Sequence, residues 1–224
     1  MSVRTDETAG RLPRGRHRLS RAEVESSQHR RLCGAALDVV GEFGYAATTV
    51  GDIVARARVA RRTFYAMFAG KDECFAAAYD FGVERALDRV TAAIGRWHDS
   101  DFGVRVRISF ETYLDVLAAA PAVTRALYVE ALVAGGPLVE HRARVHRLFA
   151  DYLTEVAGAA VRHGELAALP DPRMVDMLLG GIDDRIRACL NHEGAQALPS
   201  LAPLFTDAAL RLCDATVRGR DGLL

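Results

Sequence analysis

Between Thr48 and Lys71 the chain reads TTVGDIVARARVARRTFYAMFAGK, and Arg61, Arg62, Thr63 and Tyr65 fall close together in its second half. Guanidinium, hydroxyl and phenol groups set this densely are donors for phosphate oxygens and base edges, so the chemistry they suit is recognition of a polyanion. Presenting them together requires a short helix with a polar outer side, held down on a second helix. The spacing supplies both. Thr49 stands three residues before Asp52, which fits a capping box opening a helix at Val50. Val50, Ile53, Val54 and Ala57 recur at helical spacing, leave Gly51, Asp52 and Arg56 outside, and bring the helix to an end near Arg58. The second segment runs from Ala60 to Phe68, with Val59, Phe64, Met67 and Phe68 on one side to pack on the first. Two short amphipathic helices around so tight a turn are the layout of a helix-turn-helix DNA reader.

Read from Phe43 to Phe75, FGYAATTVGDIVARARVARRTFYAMFAGKDECF resembles the N-terminal domain of the tetracycline-repressor (TetR) family of bacterial transcriptional regulators. The points of match are Phe43-Gly44-Tyr45 at the end of a first helix, Thr-Thr-Val at the start of the second and Thr63-Phe64-Tyr65 in the recognition segment. Phe68 then closes that segment and Lys71 opens a long helix. The match is specific over this stretch and architectural over the remainder. It implies phosphate contacts from Thr49, Tyr65 and Lys71, and base or backbone contacts from Arg61, Arg62 and Thr63. Three positions depart from the pattern. Arg58 stands in the turn where the family usually has Gly, Ala60 stands where it usually has a Ser cap, and Ala66 replaces a larger polar residue. A left-handed non-Gly residue in the turn costs roughly 1 kcal/mol, and loss of a side-chain cap costs about as much.

The chain has 224 residues, 50% of them hydrophobic, which is enough to bury a sizeable core. Its formal net charge is zero, yet the charge is segregated. Residues 1–71 carry 13 Lys or Arg against 7 Asp or Glu, a net of +6, while residues 72–224 carry 16 against 22, a net of −6. The basic part holds the reader, as suits a lobe that sits on phosphates with the rest facing away. No P-loop, GxGxxG, GxSxG or HExxH pattern occurs. His141 and His146 are five apart and miss a common helix face, and Glu111 and Asp115 read as a solvated face. Neither enzyme chemistry nor a cofactor or metal site is expected. Cys33, Cys74, Cys189 and Cys213 fall singly in apolar helical patterns and read as small buried hydrophobes. The N-terminus has no apolar core of signal-peptide length and no run of 18 apolar residues appears, so the expectation is a cytoplasmic protein with no membrane partner.

Three parts are expected. Residues 1–19 are a flexible basic arm, in which Arg14, Arg16 and Arg18 are candidates for minor-groove or phosphate contact. Residues 20–70 are the helix-turn-helix domain. Its first helix is opened by a Ser20–Glu23 capping box, buries Val24, Leu32, Ala36, Val39, Val40 and Phe43, and is closed by Gly44. Residues 71–224 are a helical regulatory and dimerisation domain, with helices from Lys71 to about His98, Val104 to Ala119, Pro121 to Ala134, Leu138 to Arg162, Asp171 to Asn191 and Pro199 to Val217. The fold class is therefore all-α, with no convincing strand pattern.

In this last part the resemblance implies a small-molecule cavity bordered by helices between residues 90 and 180. Trp97, Phe110, Tyr113, Tyr128 and Met177 are its candidate lining. At helical spacing such residues also serve as ordinary core. Arg107, Arg125 and Glu130 would matter to a charged ligand. Leu178, Ile182 and Ile186 on one helix, with Leu201, Leu204, Phe205, Ala208 and Leu212 on the next, either close the core or pair with their copies across a two-fold axis. The resemblance implies pairing, and one reader of this size contacts few base pairs unless a second copy doubles them. Arg187 lies one turn after Asp183 and fits a helix-surface ion pair. The expected function is a dimeric repressor that binds a double-stranded operator as a homodimer and is released by a small-molecule effector. The alternative is a helical ligand-binding or interaction module that keeps the helix-turn-helix only as scaffold.

Overall fold

The structure, a computed structural model, describes residues 20–95 and 100–221. The arm with Arg14, Arg16 and Arg18, and Trp97 with the expected extension of its helix to His98, lie outside the described residues. Helix α1 (Arg21–Phe43) opens at Ser20, whose hydroxyl accepts the Glu23 N–H at 3.2 Å while the Glu23 carboxylate accepts the Ser20 N–H at 2.6 Å. Its buried stripe is Leu32, Cys33, Ala36, Val39 and Val40. Val24 and Phe43, expected in that stripe, are exposed because they fall at the helix ends, beyond the elements that cover its middle. Gly44 ends the helix at φ +86°, a conformation that favours glycine, with its N–H on the Val40 carbonyl.

Helices α2 (Val50–Ala57) and α3 (Arg61–Tyr65) form the reader, and α4 (Lys71–Ile94) runs from it into the body. A single core joins them: Val39, Val40, Ile53, Phe64, Phe68, Cys74, Phe75 and Tyr79 are buried together, with Ala126, Leu127 and Leu138 from the body. The reader is thus seated on α1 and on the first turns of α4.

The body continues through α5 (Phe102–Ala118), α6 (Pro121–Arg125), α7 (Ala131–Ala134), α8 (Val139–Arg162), α9 (Pro172–His192) and α10 (Ala202–Asp221). Helix α5 starts at Phe102 rather than Val104 because Asp101 caps it, its carboxylate accepting the Val104 N–H at 2.9 Å. Between α6 and α7, Ala126–Glu130 form a π-helical turn. The last helix begins at Ala202 rather than Pro199, since Ala195–Leu201 are wound as a 3-10 helix that contains the proline. A second core gathers Phe102, Val106, Phe110, Leu114, Leu117, Ile182, Ile186, Leu198, Leu201 and Phe205. All four cysteines are buried. No strand occurs among the described residues, and no single helix there is long and apolar enough to cross a membrane.

Candidate nucleic-acid interface and body cavity

The reader is built from its turn outward. Thr49 accepts the Asp52 N–H on its hydroxyl, and the Asp52 carboxylate accepts the Thr49 N–H at 2.8 Å, the reciprocal cap that α2 needs. Arg58 ends α2 at φ 51°, ψ 48°, so the turn keeps its left-handed residue although it is not glycine. Arg31 of α1 explains how this is tolerated: its guanidinium donates to the Ala57 carbonyl and, at 2.8 Å, to the Arg58 carbonyl. Two carbonyls at the end of α2 are satisfied by a cation placed where the helix dipole favours one. The Ala60 end of α3 has no side-chain cap, and α3 has only five residues, with turns continuing to Phe68. Phe64 holds it down. Fully buried, its ring meets Phe68 at 5.6 Å and Tyr65 edge-on at 5.4 Å, and burial of such a side chain is worth about 1.5–3 kcal/mol.

With Phe64 anchored inward, Arg61, Arg62 and Tyr65 are exposed and Thr63 is half-buried. The Arg61 guanidinium lies 5.9 Å over the Tyr65 ring. One helix earlier, Arg56 is neutralised by Glu42 at 2.6 Å; among the described residues no carboxylate pairs with Arg61 or Arg62. Two unneutralised guanidiniums beside an exposed phenol form a surface that phosphates and base edges can satisfy. Thr49 is also exposed, although its hydroxyl already donates to Asp52 at 2.6 Å. Lys71 is engaged inward: its ammonium donates to the Tyr45 carbonyl at 2.8 Å and sits 4.3 Å over the Tyr45 ring.

The body holds a cavity of about 390 Å³ walled by α4, α5, the π-helical turn, α8 and α9. Its surface is mostly apolar, from Val83, Val90, Phe110, Leu127, Phe149, Leu153 and others, with the Tyr79, Tyr113, Tyr128 and Tyr152 phenols among them. The Tyr113 and Tyr128 hydroxyls bond to each other at 2.5 Å, and burial pushes both phenols well up from their ordinary range. They are neutral groups able to give and take hydrogen bonds at any ordinary pH. Part-exposed Arg142, His146, Asp183 and Arg187 complete the lining, Arg187 pairing with Asp183 at 2.6 Å.

Of the residues expected at the cavity, Phe110, Tyr113 and Tyr128 line it. Met177 does not: it is 69% exposed on the outer side of α9. Arg107 pairs with Glu111 on the surface of α5. Glu130 is turned away from the cavity, toward the reader, where its carboxylate accepts the Tyr45 N–H at 2.9 Å. Of the residues expected at an interface between copies, Ile182, Ile186, Leu201 and Phe205 are instead buried in the chain's own second core, because α10 packs on α5 and α9 packs on α8 and on the 3-10 helix before α10. Leu204 is 52% exposed, and Leu178, Ala208 and Leu212 are half-buried. The exposed large apolar residues of α9 are Met174, which continues the stripe of Leu178 and Ile182 to the start of the helix, and Met177, one position off that stripe. Sequence reasoning missed Arg31 altogether and gave Tyr45 no role beyond its place in the family match. Both act through contacts distant in the chain, and no local spacing signals them.

Residues 32–78, which contain the whole reader, match the profile of the bacterial regulatory proteins of the tetR family. Over those residues the chain carries a tetR-family domain. That domain marks a DNA-binding transcriptional regulator. Solved structures share its fold. The fatty acid degradation regulator FadR from Bacillus halodurans is 20% identical, with a TM-score of 0.70 over 82% of this chain and 94% of that one. FadR from Bacillus subtilis, solved in complex with stearoyl-CoA, is 17% identical, with a TM-score of 0.69 over 80% and 96%. A tetR-family regulatory protein from Rhodococcus RHA1 is 20% identical, with a TM-score of 0.61 over 83% and 96%. Comparison by sequence with curated proteins gives no match.

Proposed function

We propose that this chain is a dimeric repressor of the tetR family whose hold on its operator is released when an amphipathic small molecule fills the body cavity. The observation that carries this reading is one chain holding both an unneutralised Arg61–Arg62–Tyr65 surface and a preformed apolar cavity, connected by α4. In the reader, Arg61, Arg62 and Thr63 contact bases or the backbone, and Thr49 and Tyr65 contact phosphates. Lys71 fixes Tyr45 and offers its remaining donors to phosphate. Residues 20–70 act as the reading domain and residues 71–224 as the regulatory and dimerising one. The second copy binds across the outer sides of α9 and α10, where Met174, Met177 and Leu204 are exposed and nothing lies within 4 Å above Gly180 and Gly181.

The effector class follows from the lining. A cavity of about 390 Å³ is within the range that encloses a small ligand. Its long apolar wall suits a hydrocarbon chain, and part-exposed Arg142 and His146 suit an anionic head. The likeness to a FadR solved with stearoyl-CoA points to a long-chain acyl thioester. Release requires only that the effector favour the conformation with lower DNA affinity. About 2–3 kcal/mol of coupling weakens operator binding roughly thirty- to 150-fold. The test is titration of stearoyl-CoA into the protein bound to a fluorescent duplex selected by the protein from random sequence. The proposal expects release together with saturable binding in the absence of DNA; binding without release would remove the switch, and no binding would remove this effector class.

A further inference from the structure

Glu130 is an unusual residue to bury. Its side chain is 8% exposed, and a carboxylate so enclosed is tolerated only where donors face it. One donor is the guanidinium of Arg125, 3.5 Å from Oε1. The other comes from far along the chain: the Tyr45 main-chain N–H, in the turn between α1 and α2, donates to Oε2 at 2.9 Å. Gly44 lies directly beside this carboxylate: a Cβ there would stand at van der Waals contact, 3.4 Å from Oε2.

Both ends of this bond are at strategic places. Glu130 closes the π-helical turn Ala126–Glu130, whose Leu127 and Tyr128 wall the cavity. A π turn is wider than the α-helix around it and recurs at functional sites. Leu127 is also wedged between the reader support and α4, because a Cβ on Gly82 would meet both Leu37 and Leu127 within 3.2 Å. At the other end, Tyr45 is held on every side. Its carbonyl accepts from Lys71, its hydroxyl donates to Asp72, and its ring lies 5.3 Å from that of Phe75, all three on the first turns of α4. Thr48 and Thr49, which fix the start of α2, follow within four residues.

We infer that Glu130 is the positioning residue through which occupancy of the cavity is reported to the reader: its carboxylate ties the cavity wall to the Tyr45 N–H, and a ligand that displaces Leu127 and Tyr128 draws on that tie. The inference rests on the proposed effector response and adds its route. A buried carboxylate cannot exchange this donor for water, so the π turn and the Tyr45 turn move together.

The test is a double-mutant cycle in the full chain that needs no identified effector. Ser109→Trp places an indole in the cavity as a built-in occupant, since Ser109 lines it. Affinity for a duplex selected by the wild type from random sequence is measured for wild type, Ser109→Trp, Glu130→Ala and the pair. The inference expects Ser109→Trp to weaken binding about tenfold or more in the wild-type background and by less than about threefold beside Glu130→Ala. Glu130→Gln, which keeps an acceptor oxygen, should restore most of the response. Equal losses in both backgrounds would overturn the inference and leave the effector reading standing, whereas no loss from Ser109→Trp in a folded protein would overturn both. Amide exchange at Tyr45, compared between wild type and Ser109→Trp, gives an answer without touching Glu130. Exchange about tenfold faster in Ser109→Trp supports the tie, and unchanged exchange refutes it.

Discussion

At the scale of single residues, the reader is a set of small accommodations. Arg58 sits in a left-handed conformation that a side chain disfavours, and Arg31 offsets this by bonding the last carbonyls of α2. Arg31→Ala is expected to lower stability by about 1 kcal/mol, read from chemical denaturation, because those carbonyls lose a charged donor at a partly exposed site. The outward residues answer to a different measurement. Arg61→Ala or Arg62→Ala should relax the preference among duplexes if the side chain reads a base, and should weaken all duplexes equally if it holds only phosphate. In the cavity wall, burial above all, with Asp183 nearby, pushes the Tyr79 phenol up to about 12 from 10.0. The folded state therefore favours the neutral phenol. The stability this confers is complete below pH 10 and is lost as pH rises toward 12. Denaturation series across that window should show Tyr79→Phe losing less stability than the wild type.

At the scale of elements, what could be read from sequence was whatever local spacing encodes. The Thr49–Asp52 and Ser20–Glu23 caps, the Arg58 turn and the Asp183–Arg187 pair all lie within a few residues of one another, and the structure contains each of them. Periodicity also located the helices, although it could not say which of two apolar neighbours on α9 would face inward. Met177 and Ile182 differ in exposure because of where α8 and the 3-10 helix before α10 lie, and one helix's own pattern carries no information about that. The crossing of α1 over α6 was hidden for the same reason. At Gly41 an added Cβ would fall 1.9 Å from the Ala122 carbonyl oxygen, so the two backbones touch there. Gly41→Ala is expected to destabilise the protein by about 1–3 kcal/mol through overpacking. Because the contact lies between the support of the reader and the helix leading into the π turn, it should also shift DNA affinity. A thermal midpoint unchanged from wild type would show that the crossing yields freely.

At the scale of the whole molecule, zero net charge conceals a protein divided into a basic reader part and an acidic remainder. That division points one end toward DNA and keeps the body off it. It makes the most direct test of the central claim, sequence-selective DNA binding by this reader, a measurement of affinity against salt. Purified full-length protein would be titrated, by fluorescence anisotropy at a series of salt concentrations, into the duplex upstream of its own gene and into a scrambled duplex. If a dimer neutralises about eight phosphates, the slope of log affinity against log salt should be near −7, with tighter binding to the upstream duplex. Weak binding to both duplexes with a slope near zero would contradict the account.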